Sequence, residues 1–341
     1  MLTYIARRLF IMLPTLLIIS LVIFLIIQAP PGDYLSNMIQ ELQAQGETAA
    51  LEKVAFLRKE YGLDKPILEQ YAVWMGFWPG PNGFSGILQG NWGWSFENNL
   101  PVSEVVGDRL TLSFILNFFS MLFVYIVSFP IGVYSATRQY SIGDYGFTFI
   151  GYLGLATPNF LLALILMYFG NVYFGISVGN LMDPAYLDQP WSLEKIRSVL
   201  AHLIAPVVVI GTSGTASMIR RLRANLLDEL QKQYVVTARA KGLSPAKLLI
   251  KYPIRMALNP FVADIGNLLP SLISGSAIVA VVMSLPTVGP LLVGALQSQD
   301  QYLAGSLLLF LSVLTVLGML VSDMLLAVLD PRIRLGGGAS K

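Results

Sequence analysis

Six stretches of this chain stay apolar for about 20 residues or more, the length an α-helix needs to cross a bilayer. They lie near residues 9–29, 112–136, 147–174, 201–219, 262–284 and 303–329. No other feature restricts the fold as strongly. In lipid each backbone N–H and C=O must find its partner within the protein, and a helix does this inside one segment. The composition agrees: 55% of the 341 residues are hydrophobic and 12% are charged, against roughly 25% charged in soluble domains. The expected fold class is therefore an all-α polytopic membrane protein with six transmembrane helices. The fourth stretch is the weakest, with Pro206, Gly211 and Gly214 in it. The third has Thr157-Pro158-Asn159 at its middle, and a bend is predicted there.

Lysine and arginine set the direction of the spans. With the N-terminus inside, the inner segments hold fifteen of the 22 basic residues, including nine between Arg220 and Arg255. Both termini are thus expected in the cytosol. Arg7 and Arg8 before an apolar run resemble the start of a cleavable signal, but the run is longer than the usual 7–15 residues or so. Ala29-Pro30-Pro31-Gly32 also makes a poor cleavage site, so the first span is expected to be retained. A net charge of +2 gives no reason to expect nucleic acid. The absence of cysteine excludes disulfides and thiolate metal sites, and a single histidine, His202, leaves little for zinc or a triad. No cofactor is expected, and His202 reads as an interfacial residue without a partner.

The segment 30–111 is read as a long external loop. Leu35, Met38, Ile39 and Leu42 follow a helical period after Asp33 as N-cap. A second helix is predicted over Thr48–Tyr61, stopped by Gly62 and followed by Pro66. The aromatic, glycine-rich stretch Trp74–Phe96 has two readings, an interfacial aromatic belt or a contact with a partner outside the membrane. The tail Gly336-Gly337-Gly338 reads as a frayed end.

Between the fourth and fifth spans lies a basic segment with the grammar of a helical hairpin. Gly242 can end one helix in the left-handed conformation, Ser244 can cap the next, and Pro245 suits its first turn. Leu226, Leu227, Leu230 and Tyr234 continue a helical face from the fourth span. Thr237, Ala238 and Ala240 offer small side chains, while Arg239, Lys241, Lys247 and Lys251 can steer the hairpin to an acidic rim. By charge alone, a basic face resting beside anionic membrane lipid is an equal reading.

The wording of this segment resembles the cytosolic loop of ABC-importer permeases, and more closely that of the oligopeptide/dipeptide branch. The matching run is Tyr234-Val235-Val236-Thr237-Ala238-Arg239-Ala240-Lys241-Gly242-Leu243-Ser244. It departs from the general family motif at Val236, Thr237, Ile254 and Arg255. Further resemblances run along the chain: Pro31-Gly32-Asp33, Tyr61 to Pro66, Gly90-Asn91-Trp92-Gly93-Trp94-Ser95, Leu285-Pro286-Thr287-Val288-Gly289, Asp323, and Asp330-Pro331-Arg332. Residues Phe77–Leu88 look like an insertion that the resemblance does not cover.

The resemblance implies a type I ABC-importer permease in a bacterial or archaeal inner membrane. It implies one N-terminal helix with its external loop over 1–108, a five-helix domain over 109–330 with a coupling loop at 220–261, and a tail at 331–341. The implied partners are a second, non-identical permease subunit, two cytosolic ATPase subunits and an external substrate-binding protein. Tyr234 and Thr237–Ser244 would then meet the ATPase. The chain lacks a G-x-x-x-x-G-K-[ST] loop, which fits a passive role without chemistry of its own. Thr212, Ser213, Asn267, Ser271 and Ser274 place hydroxyl and amide groups at membrane depth and are the candidate translocation path, with ordinary small-residue packing as the alternative. Asp323, Asp330, Pro331 and Arg332 are assigned structural roles, Asp323 pairing with Arg332 or Arg334. Short peptides are the expected substrate, with opines, nickel complexes or oligosaccharides as alternatives. A proton-coupled transporter using Asp264 and Asp323 and a membrane-embedded enzyme using His202 are the rival classes.

Overall fold

The computed structural model describes residues 2–32, 34–45, 54, 56–59, 62–81, 83–175, 178–187, 189–263, 265 and 276–329. In chain order its main elements are α1 (Leu2–Gln28), α2 (Tyr34–Gln45), α3 (Ile67–Met75), β1 (Trp94–Ser95), β2 (Leu100–Pro101), α4 (Val102–Thr137), α5 (Ile142–Ala156), α6 (Asn159–Phe174), α7 (Leu193–His202), α8 (Ile204–Leu230), α9 (Gln233–Ala240), α10 (Pro245–Lys251), α11 (Pro253–Ala263), α12 (Val288–Gln297) and α13 (Gln301–Leu329).

Three of these, α1, α4 and α13, are each long and apolar enough to cross a bilayer. The pairs α5–α6 and α7–α8 raise the number to five among the described residues if each pair is one bent span. The expected break in the third span is present, with α5 and α6 meeting at 100°. Its cause is local. Proline disfavours the helical conformation of the residue before it, and Thr157 is extended at φ −83°, ψ 119°. In the fourth span the bend is 44°, at Leu203, and Pro206 sits in the first turn of α8, where a missing N–H costs nothing. In the expected fifth span, α11 and residues 276–282 are helical, while Asp264, Asn267, Ser271 and Ser274 lie outside the described residues. Asp33, most of the predicted helix Thr48–Tyr61, and the tail from Asp330 onward, with Pro331, Arg332 and Arg334, also lie outside them.

The chain divides into two compact units. The first comprises residues 1–8, 112–286 and 315–341. Its centre is α8, which packs against α5, α6 and α11. One core gathers Leu116, Leu181, Met182, Val209, Ile210 and Met283. A second surrounds the later turns of α8 with Val124, Met218, Leu222, Leu226 and Ala257. Two glycines let α4 and α8 approach closely. A Cβ on Gly211 would lie 2.6 Å from Phe123 Cδ1, and one on Gly132 would lie 3.0 Å from Leu222 Cδ2. Small residues at helix contacts are the usual device where lipid removes the hydrophobic drive for association.

The second unit comprises residues 9–111 and 287–314. Phe24 of α1 meets Tyr71 and Trp74 of α3, with ring centroids 5.6 and 5.4 Å apart. The aromatic stretch is therefore neither wholly a belt nor wholly a docking face. Trp74 is core, while Phe77, Trp78, Phe84 and Leu88 are exposed. The run Gly90–Trp94 is a built turn. The Asn91 Oδ1 accepts the Gly93 amide at 3.0 Å, and the Ser306 hydroxyl donates to the Trp92 carbonyl at 2.9 Å. Gly93 has φ +88° and lies against the Tyr302 ring, so no side chain fits there. Residues β1 and β2 form an antiparallel ribbon beside it. Asp300, fully buried at the start of α13, accepts the Ser95 hydroxyl at 2.7 Å and the amides of Glu97 and Leu303 at 3.2 Å each.

Candidate functional site

The basic segment is a helical hairpin, built from the residues that predicted one. Helix α8 does not stop at Arg220–Arg223. It runs two further turns because Leu222 and Leu226 are fully buried in the second core. The chain then breaks at Gln231-Lys232, so Tyr234 lies in the first turn of a new helix and does not continue the face of Leu226 and Leu230. At the tip Gly242 takes φ +79°, and the amides of Lys241 and Gly242 return to the carbonyls of Thr237 and Arg239 at 3.1 and 3.0 Å. Pro245 opens α10 as expected. Ser244 occupies the capping position with its carbonyl, accepting the Leu248 amide at 2.8 Å, but its hydroxyl makes no capping bond.

The hairpin has a small core of its own: Val235, Ala238 and Leu248, with Leu243 and Tyr252 packed on it. This corrects one expectation. Ala238 is 6% exposed and faces inward, so it stabilises the hairpin from within and is not part of its outer surface. The outward face of α9 is Gln233, Val236, Thr237 and Ala240, with Val236 52% exposed. Thr237 gives its hydroxyl to the Gln233 carbonyl at 2.9 Å, which leaves its methyl group for contact. Arg239, Lys241, Gly242, Ser244, Lys247 and Lys251 are exposed as well, and Val236, Thr237 and Ala240 are the small or apolar members of the face. Leu243 is half-buried beneath it. The Tyr234 hydroxyl donates to the Glu229 carboxylate, tying the end of α8 to the hairpin. Burial, and then that carboxylate, push the phenol above its usual value.

A second feature was missed in the sequence. Asp144, at the start of α5, accepts a two-pronged bond from Arg223 on α8, Nε to Oδ1 at 2.9 Å and Nη2 to Oδ2 at 2.8 Å. The carboxylate side chain is 3% exposed and the guanidinium 26%. The Tyr140 amide completes the acceptor shell at 3.0 Å, and Ser141 caps the helix by accepting the Asp144 amide at 3.2 Å. The Ser-x-x-Asp spacing signals a helix start. Its partner, 79 residues away, has no local signal.

Of the candidate path residues, Thr212 and Ser213 are described, and both are half-buried. Thr212 bonds its own helix at the Val208 carbonyl, and a Cβ on Gly154 would lie 2.7 Å from its methyl group. Ser213 accepts the Asn159 side-chain amide at 3.4 Å. Both therefore lie at the break between α5 and α6. Asp323 pairs with Arg8 at 3.0 Å, while Arg332 and Arg334, its expected partners, lie outside the described residues. His202 has a partner too: its Nδ1 lies 2.8 Å from the Ser198 carbonyl one turn back. Among the described residues no cluster of three His, Asp or Glu side chains is placed to hold a metal.

Residues 128–335 match the family of binding-protein-dependent transport system inner membrane components, and residues 1–117 match the N-terminal region of such membrane components. The chain belongs to this family: it is a multi-pass membrane permease component of an ABC importer, a transport component and not an enzyme. Its relatives include the oligopeptide transport system permease protein AppB of Bacillus subtilis, 35% identical over 98% of this chain and 99% of the relative. The glutathione transport system permease protein GsiC of Pectobacterium atrosepticum is 32% identical, with the same coverage. The dipeptide transport system permease protein DppB of Escherichia coli K12 is 30% identical, again over 98% and 99%.

Proposed function

We propose that this permease carries short peptides, delivered by an external binding protein, across a bacterial or archaeal inner membrane, and that its hairpin receives force from a cytosolic ATPase. Relatives named for oligopeptides, dipeptides and glutathione support the substrate class. In this reading the chain has six spans and cytosolic termini, with the N-terminal helix and external loop at 1–108, the transport domain at 109–330 and a tail at 331–341. It pairs with a second, non-identical permease and with two ATPase subunits.

One observation carries the mechanical part. The hairpin is internally packed, exposes Val236, Thr237 and Ala240 together with Arg239, Lys241, Lys247 and Lys251, and joins α8 through a short break bridged by Tyr234 and Glu229. A push on Val236, Thr237 and Ala240 reaches α8, a 27-residue helix without an internal break. The Asp144–Arg223 fork carries the displacement to α5, whose far end is the 100° break beside Thr212, Ser213 and Asn159. Asn267, Ser271 and Ser274 belong to the same proposed path. Rigid elements joined at a few hinges are a common means of switching access.

The test is ATP-dependent uptake of a labelled dipeptide by the complete complex in proteoliposomes. Gly242→Val, forcing a branched side chain into left-handed backbone, is expected to abolish uptake while leaving the amount of inserted permease unchanged. Normal uptake by this variant would remove the hairpin from the mechanism. Uptake that collapses with a proton uncoupler while ATP is held constant would favour the proton-coupled reading.

A further inference from the structure

Between α5 and α8 lies a groove of about 220 Å³ whose lining includes the Asp144–Arg223 fork. It exists because both helices carry small residues at their contact. The nearest atom to a Cβ built on Gly151 is Ala216 Cβ, at 3.9 Å. Phe147, Leu155 and Ile219 give it apolar walls, with Thr148 and Tyr152 among them. Tyr140, Tyr145 and Arg220 line it as well, together with the fork. The two arginines differ in state. Arg223 is spent on Asp144, whereas Arg220 is exposed and makes no hydrogen bond or ion pair among the described residues. Along α5 the lining runs from Asp144 in the fork to Gly151 and Leu155, about two to three turns further along the helix.

We propose that this groove binds one anionic phospholipid, with an acyl chain against Gly151 and Leu155 and the phosphate on Arg220. The proposal rests on reading Arg220–Arg223 as the inner boundary of the fourth span, the depth at which tyrosine and arginine meet lipid headgroups. Three features select this occupant. The free cation calls for an anion. The apolar continuation calls for a hydrocarbon tail, which free phosphate lacks. The volume is below the roughly 300–1,000 Å³ of pockets that hold whole drug-sized ligands, so it suits one chain segment and not a folded element of a partner. Basic pockets between transmembrane helices on the cytoplasmic side are a known setting for lipid headgroups. A lipid held there would lie against the same fork that ties α5 to α8.

The experiment is native mass spectrometry of the full-length permease in detergent, titrated separately with phosphatidylglycerol and phosphatidylcholine. The wild type is expected to retain phosphatidylglycerol about fivefold more, the worth of one basic side chain beside an anionic lipid. Arg220→Gln is expected to erase that preference and leave phosphatidylcholine unchanged. Gly151→Leu is expected to reduce both lipids by filling the groove. Circular dichroism of the two variants confirms that the helices are intact. Equal retention of the two lipids by the wild type, an unchanged preference in Arg220→Gln, or displacement of phosphatidylglycerol by inorganic phosphate would overturn the proposal. So would an Ala216→Cys reagent-mediated cross-link to a second permease chain in native membranes, since a protein would then fill the groove. None of these readouts depends on transport, so loss of uptake in Gly242→Val and loss of lipid binding are separable results.

Discussion

Asp144 shows how much of the mechanism rests on single atoms. Its carboxylate accepts both prongs of the Arg223 fork and the Tyr140 amide, and its side chain is almost fully buried. Removing one member of a buried pair costs roughly 3–5 kcal/mol, since the remaining charge is stranded. Arg223 reaches solvent in part, so Asp144→Asn is expected at the low end of that range, seen as a drop in the thermal midpoint of the purified permease. Arg223→Lys keeps the charge but loses the fork, and is expected to recover only part of the loss. Gly242 makes a different demand. A Cβ there meets no atom within 4 Å, so Gly242→Ala costs only the roughly 1–2 kcal/mol of left-handed backbone. It should leave residual uptake where Gly242→Val leaves none. The turn at Gly242 was legible because glycine is the one residue at home in that conformation. The inward placement of Ala238 was not, since alanine fits equally on either face of a short helix and its burial depends on Leu248 of the next one.

Among the elements, α4 and α8 show two kinds of glycine. Gly107 is exposed near the start of α4, and a Cβ there meets no atom within 4 Å. Gly107→Ala is therefore expected to raise stability by about 0.5–1 kcal/mol through lower backbone entropy. Gly211→Ala drives a methyl group into Phe123 and is expected to cost about 1–3 kcal/mol by overpacking. Chemical or thermal melting of both variants measures the contrast. The two glycines read alike in sequence, and only the neighbouring helix separates them. The break at Thr157-Pro158 was legible because proline acts on the residue before it. The end of α8 was not. A triple-arginine boundary marks where a span meets water, but a helix continues as long as its next turns are buried, and Leu222 and Leu226 are.

For the whole molecule, the pH dependence of stability should carry the mark of Asp300. Burial raises its carboxyl above the ordinary aspartate value of 3.8, against the three hydrogen bonds that favour the charged form. A raised folded value means that the native state holds the proton more tightly. This contribution is complete below pH 3.8 and is lost as pH rises through the folded value. Asp300→Asn is expected to flatten the pH dependence of the melting midpoint across that window, and an unchanged slope would show that Asp300 does not set it.

The sequence by itself determined the class of solution: long apolar runs in lipid admit only helices, proline and glycine punctuate them locally, and the order of motifs marks a permease of this family. Tertiary structure alone decided the partners. Asp144 with Arg223, Asp323 with Arg8, Ser95 with Asp300, and Gly151 opposite Ala216 are all pairings between residues far apart in the chain. Helix formation is written in neighbours three and four residues apart. A long-range pair depends on the rotation and register of two helices, which no local pattern specifies.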